Sequence, residues 1–341
     1  MIYRSRAPLR IGLAGGGTDV SPYSDEFGGA ILNASISQYA KASIEPLKES
    51  AIIVEALDRK ESQTFEKMSE LPLDGTLDLL KGVYNRIGKD YGLPSFGFRL
   101  STFVDAPAGS GLGTSSTLVV SIIGAFAEML KLPLGEYDMA HYAYDIERKD
   151  LKLAGGKQDQ YAATFGGVNF MEFYADDKVI VNPLRIKQEY LNELENNLVL
   201  YFTATSRESA TIIKEQQKNV QQKNEKSIEA MHQLKEQARM MKEALLKGRL
   251  NEIGEVLDYG FQQKRKMASA ISNPMIEEIY SAAKASGATG GKISGAGGGG
   301  FMIFYCPGNT RYQVIRTLES YGGAIKPYYF SKQGLNTWTT D

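Results

Sequence analysis

Residues 98–130 read FRLSTFVDAPAGSGLGTSSTLVVSIIGAFAEML: an apolar strand-like run, a glycine-rich loop, and a second apolar stretch of helical length. Glycines at 109, 111 and 113 allow successive backbone N–H groups to turn toward one point, and the helix that opens there adds unpaired amides and the positive end of its dipole. The junction is an anion site. Thr114, Ser115 and Ser116 supply hydroxyls that can cap the helix, touch phosphate or ligate Mg2+. A plain turn with a Ser/Thr cap is the ordinary alternative, but three alternating glycines before three hydroxyl residues favour phosphate. The loop is no Walker A motif, since GxxxxGK[ST] occurs nowhere.

Upstream of this junction, short apolar runs at 10–14, 30–36, 39–44, 51–56 and 96–103 alternate with turn signals and predict strands. Residues 77–91 predict a helix, because Leu77, Leu80, Val83, Ile87 and Tyr91 recur at helical spacing before Gly92 and Pro94. Downstream, helices are predicted over 114–131, 135–150 and 157–164, then strands over 168–173 and 179–184. The pattern restarts near Asn197 with an apolar strand and a long polar helical region, 207–247, whose Val220, Ile228, Met231, Leu234, Ala238, Met241 and Leu245 form one apolar stripe. Helices over 250–270 and 274–286, strands between 291 and 306, a helix over 311–321 and a last strand over 324–330 complete the reading. Strict βαβ alternation is lacking, so the expectation is two α+β domains, 1–190 and 191–341.

The chain has 341 residues, 43% of them hydrophobic, which suits a globular protein with a sizeable core. Lys plus Arg total 39 against 40 Asp plus Glu, so no broad cationic surface is expected for nucleic acid or an anionic membrane. One cysteine, Cys306, allows no internal disulfide, and with His141 and His232 it cannot build a usual zinc site; both histidines are expected on helix faces. Arginines at 4, 6 and 10 and the lack of an apolar core argue against a secretory signal, and the expected location is cytoplasmic. Fifteen of the 35 glycines fall within 12–17, 109–113 and 287–300, so those windows carry the question of function.

In GKISGAGGGGFMIF, residues 291–304, Gly295, Gly297 and Gly300 match GxGxxG, but they run into a strand rather than opening a helix, so the dinucleotide context is missing. Four consecutive glycines weaken a strand unless a close approach needs them; a hairpin or a wall against a ligand would. PLRIGLAGGGTD, residues 8–19, places Arg10 on a strand ahead of Gly15, Gly16, Gly17, Thr18 and Asp19. GGKQDQYAATFGG, residues 155–167, sets Asp159 at the start of a short helix, where an acidic residue alone compensates the dipole. HExxH, GxSxG and CxxC are absent.

Together and in this order, the four windows resemble the GHMP kinases, the superfamily of galactokinase, homoserine kinase, mevalonate kinase and phosphomevalonate kinase. AGGGTD, GGKQDQYAATFGG and ISGAGGGGF look most like the branch that phosphorylates D-glycero-D-manno-heptose 7-phosphate, with fucokinase as a neighbour. The resemblance covers nearly the whole chain. It implies an N-terminal domain similar to the second domain of ribosomal protein S5, a ferredoxin-like C-terminal domain, and ATP with Mg2+ between them. It also implies transfer of phosphate from ATP to the anomeric C1 hydroxyl of a sugar phosphate. The alternatives are a free-sugar kinase such as fucokinase, and a silent sugar- or nucleotide-sensing homologue. A homodimer is compatible with it.

Carried over to this sequence, the resemblance has Pro107, Gly109, Ser110, Gly111, Leu112, Gly113, Thr114, Ser115 and Ser116 wrap the triphosphate. Ser115 and Glu147 would ligate magnesium, with Asp145 and Asp150 competing for the second role. Asp159 would orient the acceptor hydroxyl, and Arg10 would polarise that hydroxyl or favour the ionised form of Asp159. Gly16, Gly17, Thr18 and Asp19 would meet the sugar, with Gly297 and Gly298 as a further wall. A phosphorylated acceptor demands cations, for which Lys152, Lys157 and Arg207 are the candidates.

Overall fold

The computed structural model describes residues 1–205 and 209–341. Its first part runs β1 (Ile2–Ala14), α1 (Tyr23–Phe27), β2 (Gly29–Pro46), β3 (Ala51–Ala56), β4 (Glu61–Glu66), α2 (Asp78–Tyr91), β5 (Phe98–Val104), α3 (Thr114–Leu130), α4 (Glu136–Asp145), α5 (Gln158–Phe165), β6 (Val168–Phe173) and β7 (Val179–Pro183). There follow α6 (Gln188–Asn197), β8 (Leu198–Phe202), α7 (Ser209–Gln221), α8 (Glu225–Lys247), α9 (Ile253–Lys264), α10 (Pro274–Ala285), β9 (Gly290–Ile293), β10 (Phe301–Tyr305), α11 (Arg311–Glu319), β11 (Ala324–Ile325) and β12 (Asn336–Thr340). No helix among the described residues is long and apolar enough to cross a membrane.

The first sheet has the order β12-β1-β2-β5-β3-β4, with β6 attached to β2 and β7 to β6. Strand β2 organises it: one edge carries β1, while the other carries β6 along Gly29–Ala34 and β5 along Ala40–Pro46. The apolar helix α3 lies on this sheet, burying Val119, Ile123 and Phe126 among Ala40, Ala42, Ile44 and the α2 residues Leu80, Val83 and Ile87. Burial on every side is why α3 has no polar stripe. The second sheet, β11-β8-β10-β9, is antiparallel, and its helix insertions after β8 and β10 give the ferredoxin-like arrangement. Asn224 and Asn273 cap α8 and α10, each accepting from an amide three residues on.

Several elements depart from the sequence reading. The predicted strands 30–36 and 39–44 are one strand, with a register shift against β1 between Pro8 and Arg10. The C-terminal segment fills that irregularity: Phe330 bridges Ile36, and the Ser37 N–H donates to the Tyr329 carbonyl. The helical region 207–247 is broken at residues 222–224, where Lys223 adopts a left-handed conformation and Asn224 starts a new helix. Of the predicted 324–330 strand only Ala324–Ile325 joins the second sheet, Phe330 making its isolated bridge to the first, and β12 returns to β1 of the first sheet. The polar edge strand β4, ESQTFE, offers no hydrophobic alternation to read.

Two glycine segments join the sheets, backbone against backbone. A Cβ on Gly111 would lie 2.5 Å from the Ser294 carbonyl oxygen, and one on Gly295 would lie 2.6 Å from the Gly111 Cα. The Phe301 N–H donates to Ser110 O at 2.9 Å across the same seam. Gly111 also has φ +82°, so a side chain there is strained as well as crowded. Gly308 has a comparable φ of +60° with nothing within 4 Å. Gly111→Ala is expected to cost at least about 2 kcal/mol and lower Tm by about 4 °C or more, whereas Gly308→Ala costs about 1 kcal/mol. Equal losses in thermal melts would show that the seam is not tightly packed.

Candidate active site

All four glycine-bearing windows open on one cavity of about 530 Å³, whose wall includes Gly17 and Asp19, Gly109, Gly111, Gly113 and Thr114 to Ser116, Gly155, Gly156, Gln158 and Asp159, and Gly295. Arg10 stands at its floor. The guanidinium donates to Asp159 Oδ1 through Nε at 2.7 Å and lies 2.6 Å from the same oxygen through Nη2, while Nη1 donates to Gly111 O at 2.7 Å. Arg10 is 3% exposed, so this pairing is shielded from water, and both charges are held in one orientation. Asp159 Oδ2 accepts no hydrogen bond among the described residues and lies beside Gly113, where a Cβ would approach it to 3.2 Å. One carboxylate oxygen is therefore fixed and the other faces the glycine loop.

The loop itself alternates. Leu112 is buried in the core, and its carbonyl accepts from the Arg10 N–H at 3.2 Å; Ser110 is fully buried and its carbonyl takes the Phe301 N–H. Gly109, Gly111 and Gly113 are left on the cavity wall with Thr114, Ser115 and Ser116, at the N-terminus of α3. Pro107 is exposed and off that wall, contributing only its carbonyl to the Ser110 amide. Backbone and hydroxyl groups at a helix N-terminus can accommodate an anion.

Beyond the loop, Glu147 lies in a single π-helical turn, Ile146–Asp150. The turn and the end of α4 before it send three carboxylates in different directions. Asp145 pairs with Lys149 at 2.8 Å and Asp150 with Arg86 at 2.8 Å, whereas Glu147 reaches the cavity wall beside Ser115 and Ser116. Burial pushes the Glu147 carboxyl up, opposed by the Arg148 charge and by hydrogen bonds from Ser116 and Gln160. No cluster of three or more His, Cys, Asp or Glu among the described residues could hold a metal by itself. A hydroxyl and one carboxylate beside a phosphate cradle suit magnesium, which completes its shell with substrate oxygens and water.

On the opposite wall, Asp19 Oδ2 accepts from the N–H groups of Lys157 and Gln158 at 2.9 and 3.1 Å, thereby capping α5. A Cβ at position 156 would sit 1.9 Å from that oxygen, so only glycine fits there. Burial raises the Asp19 carboxyl, the Gln158 amide opposing it.

Not every residue singled out in the sequence reaches the cavity. The Lys157 amide faces Asp19, so its side chain leaves on the other side, where Asp177 and Asp25 hold the ammonium at 3.0 and 3.5 Å beneath the Tyr144 ring. Lys152 is exposed, and Arg207 lies outside the described residues. The Thr18 hydroxyl is spent internally on Gly15 O and Ala30 O. Gly297 and Gly298 pack against Ile271, the Gly298 N–H donating to Ile271 O at 2.8 Å, so Gly295 and Ala296 form the wall instead. Gly16 backs onto Lys264.

Lys264 is the residue that sequence reasoning missed. It is buried and lines the cavity, donating to Gly295 O at 2.6 Å and to Gly16 O at 3.4 Å. Burial lowers its ammonium to about 8, against the pull of Asp19. A signal was present, for Lys264 continues the α9 stripe of Ile253, Val256, Leu257, Gly260 and Phe261, but the KRK run at 264–266 disguised it as surface charge. Gln216 of α7 also lines the cavity and was not anticipated.

Comparison with known proteins agrees with this geometry. The description "GHMP kinases N terminal domain" matches residues 78–167, and "GHMP kinases C terminal" matches residues 241–324. The chain is 47% identical over 335 residues to a D-glycero-alpha-D-manno-heptose 7-phosphate kinase of Campylobacter jejuni, covering 98% of each. A crystal structure of a D-glycero-D-manno-heptose 1-phosphate kinase from Bacteroides thetaiotaomicron superposes with a TM-score of 0.85 at 45% identity, covering 99% of both chains. A putative sugar kinase from Campylobacter jejuni gives 0.82 at 45% identity, covering 99% of this chain and 98% of that one. With two glycine-walled domains closing on an Arg-held aspartate, and with relatives of this likeness along its whole length, the chain belongs to the GHMP kinases.

Proposed function

We propose that the protein transfers the γ-phosphoryl group of ATP to the anomeric C1 hydroxyl of D-glycero-D-manno-heptose 7-phosphate. The product, heptose 1,7-bisphosphate, would feed nucleotide-activated heptose for surface glycans. The observation that carries the reaction is the single open oxygen of Asp159, aimed past Gly113 at the loop while Arg10 grips its twin. The names of the Campylobacter and Bacteroides relatives support a heptose phosphate as acceptor.

Phosphoryl transfer passes through a loose transition state, so the protein contributes alignment and charge stabilisation rather than covalent chemistry. The amides of Gly109 to Ser116 at the head of α3 would hold the triphosphate, and Ser115 with Glu147 would hold Mg2+. Mg2+ supplies positive charge to the phosphate oxygens and fixes their geometry. Asp159 Oδ2 would orient the C1 hydroxyl and receive its proton, with Arg10 keeping the carboxylate from turning. Asp19, across the cavity, would receive hydroxyls of the sugar.

Three experiments test the reading. ADP release measured side by side with heptose 7-phosphate, mannose, fucose, galactose and mevalonate should favour the heptose phosphate; preference for fucose would make the chain a free-sugar kinase, and silence on all of them a sensing homologue. Asp159→Asn is expected to lower kcat at least about a hundredfold with ATP binding kept, and unchanged turnover would remove Asp159 from the mechanism. Glu147→Gln should raise the magnesium concentration needed for half-maximal rate about tenfold or more. An unaltered magnesium titration would take Glu147 out of that role.

A further inference from the structure

Beyond Asp159 the cavity ends in a corner made by two helices of the C-terminal half, α7 and α9, set against Gly16 and Gly17. Lys264 stands over the first glycine: a Cβ on Gly16 would be 3.7 Å from its Nζ. Gln216 stands over the second, where a Cβ on Gly17 would be 3.6 Å from Oε1. Both side chains are 2% exposed and both line the cavity.

Their hydrogen bonding is incomplete. Among the described residues the Lys264 ammonium has two partners, the carbonyls of Gly16 and Gly295, which leaves one of its three N–H groups. The Gln216 Nε2 is buried and has no partner at all among the described residues. Buried donors left unmade are costly, more so on a cation. Neither nearby carboxylate hydrogen-bonds the Lys264 ammonium: Asp159 accepts from Arg10 through Oδ1, and Asp19 from the α5 amides through Oδ2. Lys292, the neighbouring buried lysine, differs: its Nζ is turned to Gly12 O at 2.7 Å and lies off the cavity wall.

The geometry points to Lys264 and Gln216 as the site that holds the phosphate monoester of the acceptor. An ammonium N–H and a carboxamide N–H supplied by two helices to one cavity corner give a phosphate the charge and donors it needs. The corner adjoins Asp19 on the acceptor side, and the triphosphate has its own cradle at Gly109 to Ser116. This assignment rests on the proposed sugar phosphate kinase activity. It explains why the cations expected at Lys152 and Lys157 are unnecessary.

The test uses the whole enzyme with a sugar phosphate and its dephosphorylated counterpart, heptose 7-phosphate and free heptose, with KM for ATP measured alongside. Lys264→Met and Gln216→Glu should each raise KM for the sugar phosphate by about tenfold to a hundredfold, the worth of a charge-assisted hydrogen bond. Loss on free heptose should be at least about ten times smaller, and Lys292→Met should lower Tm while keeping the wild-type preference between the two acceptors. Equal losses on both acceptors, or a rise in KM for ATP alone, would overturn the assignment, the latter giving the corner to the donor phosphate. Failure of the kinase reading shows separately, in the wild-type arm: a native enzyme preferring free heptose would overturn both. Melting curves and the ATP arm identify a variant that is merely misfolded; Gln216→Glu, nearly isosteric, then decides.

Discussion

The carbonyl oxygen of Gly111 is where the two halves of the molecule and the two halves of the chemistry meet. It accepts Arg10 Nη1 from the first sheet at 2.7 Å and Ser294 Oγ from the second unit at 2.9 Å. Arg10 in turn fixes Asp159, so one backbone atom couples the glycine loop to the carboxylate proposed to receive the acceptor's proton. That coupling requires two backbones at van der Waals contact, which only glycine permits on both sides of the seam. The glycine density of the sequence is thus a packing demand as much as a ligand demand.

Charge placement follows the same economy. Three ionisable groups on the cavity wall are restrained by backbone: Asp19 by two amides, Lys264 by two carbonyls, Arg10 by one carbonyl in addition to its carboxylate. Backbone dipoles are rigid, so the site keeps its charges oriented before a substrate arrives and has little reorganisation to perform on binding. The π-helical turn at Ile146–Asp150 serves the same end, separating Glu147 from two carboxylates that bind surface cations.

Much of this was legible in the sequence, because strand–glycine–helix junctions and short apolar runs are local. The loop at Gly109 to Ser116 and the helix α2 depend on residues whose types and spacing announce their role, whereas Arg10 and Asp159, 149 residues apart, were linked only through the family resemblance. Non-local closure was not legible. Thr18, Gly297 and Gly298 looked like ligand groups and proved to be buttresses, since nothing in a window reveals what packs behind it. Lys157 and Lys264 exchanged places for a related reason: which lysine faces a cavity depends on where a distant carboxylate pair, Asp25 and Asp177, captures one of them.

The return of β12 to β1 carries an implication for biosynthesis. Ile2 pairs with Thr340 and Arg6 with Asn336, so the eight-stranded sheet lacks an edge strand until residues 336–340 have been synthesised. The ferredoxin-like unit is, topologically, an insertion between the seventh and eighth strands of a sheet begun by the first residues. The half made first is therefore completed last, and a nascent chain must hold β1 ready through the production of everything between.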